Sequence, residues 1–187
     1  MAYALAKLGV KNIEVYDFDV VEEHNIANQL FGIGDIGKKK VDALEEIILR
    51  DTGIQIKKHE VRVERQLFSG FVFVMVDSMK SRKEIFENCI KFKPSVVHAV
   101  EPRMGLDVCR VYNIQPLNLA LHKRYDATLY SDDAVQELSA CGNSMTVITS
   151  SLIVAGLCVR QFINQQTGVE LDFEILLDYK YNNLFTQ

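Results

Sequence analysis

The sequence has little to tie it to nucleic acid, to a metal knot or to a membrane. Its net charge is −4, from 21 basic and 25 acidic residues among 187, so it offers no electrostatic platform for a phosphate backbone and no nucleic-acid partner is expected. The basic run Lys38–Lys40 is too short to change that balance and reads as the solvated start of a helix. Cys89, Cys109, Cys141 and Cys158 lie far apart with no CxxC pair, which argues against a structural zinc site built from close ligand pairs. Scattered thiols in a chain of this size fit a reducing, cytoplasmic setting better than a disulfide framework. Met1–Ala6 lacks the basic-then-apolar order of a signal peptide.

Linkers are missing too. Proline occurs only at positions 94, 102 and 116, and no internal repeat, low-complexity tract or Pro/Gly linker divides the chain. A single domain over residues 1–187 is the expectation. No charged residue occurs from Leu138 to Val159, a length that could span a bilayer. The stretch nevertheless contains Ser139, Asn143, Ser144, Thr146 and Thr149, with Gly142 near its start. A core helix covered on most sides is the better reading, and no membrane partner is expected.

Hydrophobic content of 48% with 25% charged residues is that of an ordinary globular protein. The opening MAYALAKLGVKN has helical spacing, with Gly9 as a C-cap. IEVYDFD (13–19) reads as a strand. KKKVDALEEIILRDTG reads as a helix with Val41, Leu44, Ile47 and Ile48 on one face and Gly53 closing it. Strands are expected over 54–63 and 71–77, the second an unbroken apolar run of the kind buried on both faces. A helix over 81–92 precedes a strand over 94–103, and 104–114 suggests a further strand in a hairpin with it. Residues 115–140 read as an irregular crossing loop, 143–166 as a long buried helix ending at Gly168, and 169–181 as a late strand at a sheet edge.

Strands alternating with helices predict an α/β fold: a doubly wound, Rossmann-like, mostly parallel sheet with antiparallel strands toward the C-terminus. Ligands of such sheets bind beyond the carboxyl ends of the strands. Acidic residues stand at those ends here: Asp17 and Asp19 after one strand, Asp77 after another, and Glu101 with Arg103 after a third. In a nucleotide-binding fold of this kind the first strand ends in a glycine-rich turn, and an acid after the second strand takes the ribose hydroxyls. Here that second strand and its acid are present. The first strand and the glycine turn are missing, which suggests an N-terminally truncated domain.

DFDxVxxxNxxxQ (Asp17 to Gln29), the following IGKKKV, a strand ending on Asp77 and Arg82 five residues later together resemble the ThiF/MoeB/HesA family, the adenylating enzymes related to ubiquitin-activating enzymes. The resemblance runs over nearly the whole chain. It implies ATP-dependent, magnesium-assisted adenylation of the C-terminal carboxylate of a ubiquitin-like or sulfur-carrier protein, by a homo- or heterodimer. Carried over by position, Asp19 holds the ribose hydroxyls and Asp17 supports the turn. Asn25 and Gln29 line the nucleotide site, Lys40 contacts phosphate and Asp77 binds magnesium. Cys141 corresponds to a thiol that in some members receives the activated group, a task suited to a thiolate near a helix N-terminus.

Each residue also has a plainer reading. The two aspartates could punctuate a strand end, Lys40 could face solvent beside Lys38 and Lys39, Asp77 could N-cap the next helix, and Cys141 could be a small buried residue. Arg82 and Arg103 read as structural ion pairs, and Cys89 and Cys158 as core. One position departs from the family: Asn28 stands where an arginine usually contacts the ATP phosphates, which removes a charge-assisted contact. That departure, jointly with the missing glycine turn, favours a second function class, a non-catalytic subunit paired with an active partner. A nicotinamide-dependent oxidoreductase on the same fold class fits less well, since no His–Asp or Tyr–Lys catalytic arrangement is in view.

Overall fold

The computed structural model describes residues 1–105, 107–131 and 148–187. It divides into two compact units, one of Met1–Val63 with Val147–Val159 and one of Glu64–Thr146 with Arg160–Gln187.

In the first unit, helix α1 (Ala2–Lys7) ends through Leu8 and Gly9, whose φ of +87° suits a residue without a Cβ. Strand β1 (Glu14–Tyr16) pairs in parallel with β2 (Lys57–His59), placing Glu14 opposite Lys57 and Tyr16 opposite His59. Between them lies α2 (Lys40–Thr52), closed by Gly53 in the left-handed region with its N–H on the Leu49 carbonyl at 2.9 Å. The buried stripe of α2 is Val41, Ala43, Ile47 and Ile48. Leu44 is only half-buried, because the stripe is centred nearer Ala43 than its apolar pattern suggests. Full burial of such aliphatic side chains stabilises by roughly 1.5–3 kcal/mol each. The start of helix α5 (Ile148–Gln166) also belongs to this unit, where Val154 and Cys158 are buried.

The second unit holds a five-stranded sheet of order β3-β4-β5-β6-β7. These strands are Gly70–Phe73, Val96–Met104, Val108–Ile114, Glu174–Asp178 and Asn183–Thr186. β3 and β4 are parallel, and every pairing from β4 onward is antiparallel. The expected α/β class with antiparallel strands toward the C-terminus is therefore the observed one, including the β4–β5 hairpin. The β1–β2 pair and the five-stranded sheet share no strand among the described residues. Helix α3 (Met79–Ile85) continues as a π-helical turn (Phe86–Ile90) and buries Ile85, Phe86, Cys89 and Ile90.

Several expectations are corrected. β3 is half-buried along its length, since it pairs on one side only among the described residues. The supposed loop contains helix α4 (Leu119–Asp126), capped by Asn118, whose Oδ1 accepts from the N–H groups of Ala120 and Leu121. Helix α5 is covered along most of its residues, as expected, and exposes Leu152 and Ile153. No helix among the described residues is long and apolar enough to cross a membrane. The late strand β6 lies inside the sheet, and β7 takes the edge.

Candidate functional site

The chain leaves β1 at Tyr16 and turns through Asp17–Phe18–Asp19. Asp17 Oδ1 accepts the Asp19 N–H at 2.8 Å, a side-chain turn that fixes the direction of the second carboxylate. Residues 19–21 are then zipped against 37–40. Val21 N–H donates to Lys38 O at 2.8 Å, Gly37 N–H to Val21 O at 2.9 Å and Lys40 N–H to Asp19 O at 2.9 Å, with Val20 and Lys39 forming an antiparallel bridge. This zipper brings Lys40, the first residue of α2, onto Asp19: Lys40 Nζ donates to Asp19 Oδ2 at 2.8 Å. The Lys40 side chain is 16% exposed and that of Asp19 49%.

The other lysines of the run are paired as well. Lys38 Nζ reaches Asp35 at 3.1 Å and Glu46 at 2.6 Å, and both carboxylates raise its pKa. Lys39 Nζ reaches Glu60 at 2.7 Å. The Gly32 N–H, then the Lys38 ammonium, hold the Asp35 carboxyl below its usual range and close the 32–38 turn. Three cations at the start of a helix oppose its macrodipole. The fold offsets this by giving each a carboxylate, and a bound polyanion at the same place would do so equally well.

Asn25 is buried, and its Oδ1 accepts the Glu22 N–H at 3.0 Å, so one face of its amide holds the turn that follows β1. Gln29 is half-buried at the end of that turn, with its N–H on Asn25 O at 2.8 Å. At Asn28, Oδ1 is buried without a hydrogen-bond partner among the described residues. That is an unspent acceptor beside the expected nucleotide residues.

Asp77 belongs to the second unit and is exposed after β3. It is not the cap of α3. Ser78 is, its hydroxyl accepting from the Ser81 N–H at 3.1 Å, which leaves the Asp77 carboxylate without that structural task. Cys141 lies outside the described residues. Arg82 and Arg103 are structural as expected: both bind Glu101, which the fold buries completely inside β4 and not at its end. Cys89 and Cys158 are core, and burial pushes the Cys89 thiol up. The sequence reading named Asp19 and Lys40 separately and missed their ion pair. The available signal was a run of lysines at a helix start, where carboxylates belong.

The ThiF family model matches residues 1–184. The chain belongs to the ThiF family. Among curated relatives, this ThiF-family chain is 35% identical over 88 residues to the NEDD8-activating enzyme E1 catalytic subunit of Arabidopsis thaliana, covering 43% of the chain and 19% of the relative. It is 38% identical over 61 residues to a probable adenylyltransferase/sulfurtransferase MoeZ of Mycobacterium tuberculosis, covering 32% of the chain and 16% of the relative. The matched segment thus spans less than a fifth of either relative. Among solved structures, PaaA superposes with a TM-score of 0.75 at 19% identity, over 100% of this chain and 58% of that one. Escherichia coli MccB solved with ATP superposes with a TM-score of 0.65 at 15% identity, over 99% and 58%. At these identities the two structures establish the fold alone.

Proposed function

We propose that this ThiF-family chain binds ATP with magnesium and adenylates the C-terminal carboxylate of a ubiquitin-like or sulfur-carrier protein, as part of a homo- or heterodimer. The observation that carries the reading is the Asp17–Asp19–Lys40 constellation at the carboxyl end of β1. In the reaction a carrier carboxylate oxygen attacks the α-phosphorus of ATP, the bond to the β-phosphate oxygen breaks, and pyrophosphate leaves. Asp19 takes the ribose hydroxyls, with Asp17 holding the turn. Lys40 meets phosphate, Asn25 and Gln29 line the site, and the unspent Asn28 acceptor suits an N–H or O–H donor of the nucleotide.

Among the described residues no group of three His, Cys, Asp or Glu could hold a metal ion. Magnesium suits that pattern, since it is usually bound by one or two carboxylates plus substrate phosphates. Asp77, exposed and free of the capping task, is its proposed ligand; bound there, the ion would neutralise phosphate charge as pyrophosphate departs. Cys141 remains the proposed acceptor of the activated group.

A second reading, a non-catalytic subunit pairing with an active partner, is favoured by Asn28, an uncharged residue where the family usually has arginine. Exchange of labelled pyrophosphate into ATP, measured with added carrier protein, separates the two. The first reading expects exchange above background that is lost in Asp77→Ala. Such exchange overturns the second reading, and failure to bind ATP overturns the first.

A further inference from the structure

The two residues proposed to hold opposite ends of the nucleotide are each other's partners in this structure. Lys40 Nζ sits on Asp19 Oδ2 at 2.8 Å, and the backbone zipper between residues 19–21 and 37–40 keeps the two α-carbons from drifting apart. Of the run's three lysine side chains that of Lys40 is the least exposed, at 16% against 38% for Lys38 and for Lys39. A ribose hydroxyl approaching that Asp19 oxygen meets an ammonium already in place. An ammonium donates hydrogen bonds, as a ribose hydroxyl does toward a carboxylate, so the two compete for the same lone pairs.

Lys40 also stands at the first position of a 13-residue helix, an unfavourable place for a cation. It gains more from a phosphate group there than a lysine elsewhere would, because the helix end itself attracts the same anion. We propose that Lys40 covers the ribose-binding carboxylate of Asp19 and is drawn off it by phosphate, so that the first unit selects nucleotides over nucleosides. This rests on the functional reading above, in which Asp19 holds ribose. Lys40 is thereby a specificity-determining residue. A ligand bearing phosphates provides the lysine with a new anionic partner as it uncovers Asp19. Adenosine has nothing to offer the lysine and must break the ion pair uncompensated.

The proposal makes an unusual prediction: removing a cation improves binding of the uncharged ligand. A part-exposed ion pair of this kind is worth up to about fivefold in an equilibrium constant. Adenosine affinity should therefore rise about fivefold in Lys40→Ala and in the length-preserving Lys40→Gln. ATP must displace the same ion pair, so its affinity should fall by only about twofold in both, the roughly tenfold loss of a charge-assisted phosphate contact set against the roughly fivefold gain from uncovering Asp19. The ratio of ATP to adenosine affinity then collapses by about tenfold, the value of the phosphate contact alone. Lys39→Ala, which breaks only the pair with Glu60, should leave both affinities unchanged.

Calorimetric titration of the intact chain with adenosine and with ATP measures all of this. Agreement between the Ala and Gln variants separates the effect from misfolding of either one. If wild type binds ATP but adenosine affinity is unchanged or falls in both Lys40 variants, the covering role is wrong and the nucleotide-binding reading stands. If wild type binds neither ligand, that reading falls and this proposal with it.

Discussion

Glu101 is the residue whose substitution should cost the second unit most. Its carboxylate is wholly buried in β4 and accepts from the Arg82 guanidinium, from Arg103 Nε at 3.1 Å to both oxygens, from Arg103 Nη2 at 2.8 Å and from the Tyr125 hydroxyl at 2.9 Å. Arg103 in turn donates to Thr128 O at 2.7 Å and to Thr128 Oγ1 at 2.9 Å, tying the end of α4 to the sheet. Burial works against charge on Arg103, yet the Glu101 carboxylate outweighs it and raises the guanidinium's pKa. Burial, then the Glu101 charge, push the Tyr125 phenol far up.

Glu101→Gln keeps the shape and removes the charge, leaving two buried guanidiniums facing a neutral amide. Removing one partner of a buried ion pair typically costs about 3–5 kcal/mol. The contacts here act as one network, so their separate values do not add. A loss of about 4 kcal/mol is expected, a large share of the 5–15 kcal/mol that holds a typical domain together. With a urea dependence of about 2 kcal/mol per molar, the unfolding midpoint should drop by about 2 M. Tyr125→Phe removes one neutral donor and should cost about 1–2 kcal/mol. Far-ultraviolet circular dichroism against urea measures both. A Glu101→Gln midpoint within about 0.3 M of wild type would refute the claim that this cluster is dry and charged.

Two further outcomes follow from the fold. His98 is buried against Phe71 with Nε2 3.2 Å from Asn113 Oδ1, and burial lowers its pKa below 6.5, so the folded state favours the neutral ring. Its contribution to stability is full above the unfolded value of about 6.5 and is lost as pH falls from there toward the depressed folded value; urea midpoints over that window should fall in wild type and less steeply in His98→Asn. At Gly53, φ is +71° and an added Cβ would meet nothing within 4 Å, so Gly53→Ala should cost about 1 kcal/mol from backbone strain alone, read as a lowered thermal midpoint.

How far the fold could be read from the sequence depended on where the physical signal lay. Helix α2 was legible because its apolar stripe and its glycine cap both survive as letters. Helix α4 was not: its buried residues are His122 and Tyr125, which carry no apolar pattern, and only Asn118 before it marked a helix start. The run FVFVMVD is apolar on both faces whether or not a strand pairs on both sides, so composition could not reveal the half-burial of β3. At the site, the motif pointed to Asp17, Asp19 and Lys40 as types. Their mutual contact spans 21 positions and depends on the zipper between Val20 and Lys39, which no local pattern encodes. The choice between Asp77 as helix cap and Asp77 as free carboxylate turned on which of two adjacent residues, Asp77 or Ser78, meets the Ser81 N–H.

The central claim, that Asp19 is the handle for a nucleotide's ribose, is tested most directly by titrating ATP and 2′,3′-dideoxy-ATP into wild type and Asp19→Ala. Wild type should bind ATP about tenfold more tightly than the dideoxy analogue, the value of hydroxyl hydrogen bonds to a charged acceptor. In Asp19→Ala the two ligands should bind equally. Equal binding of both ligands by wild type would contradict the account, because the ribose hydroxyls would then have no partner at the end of β1.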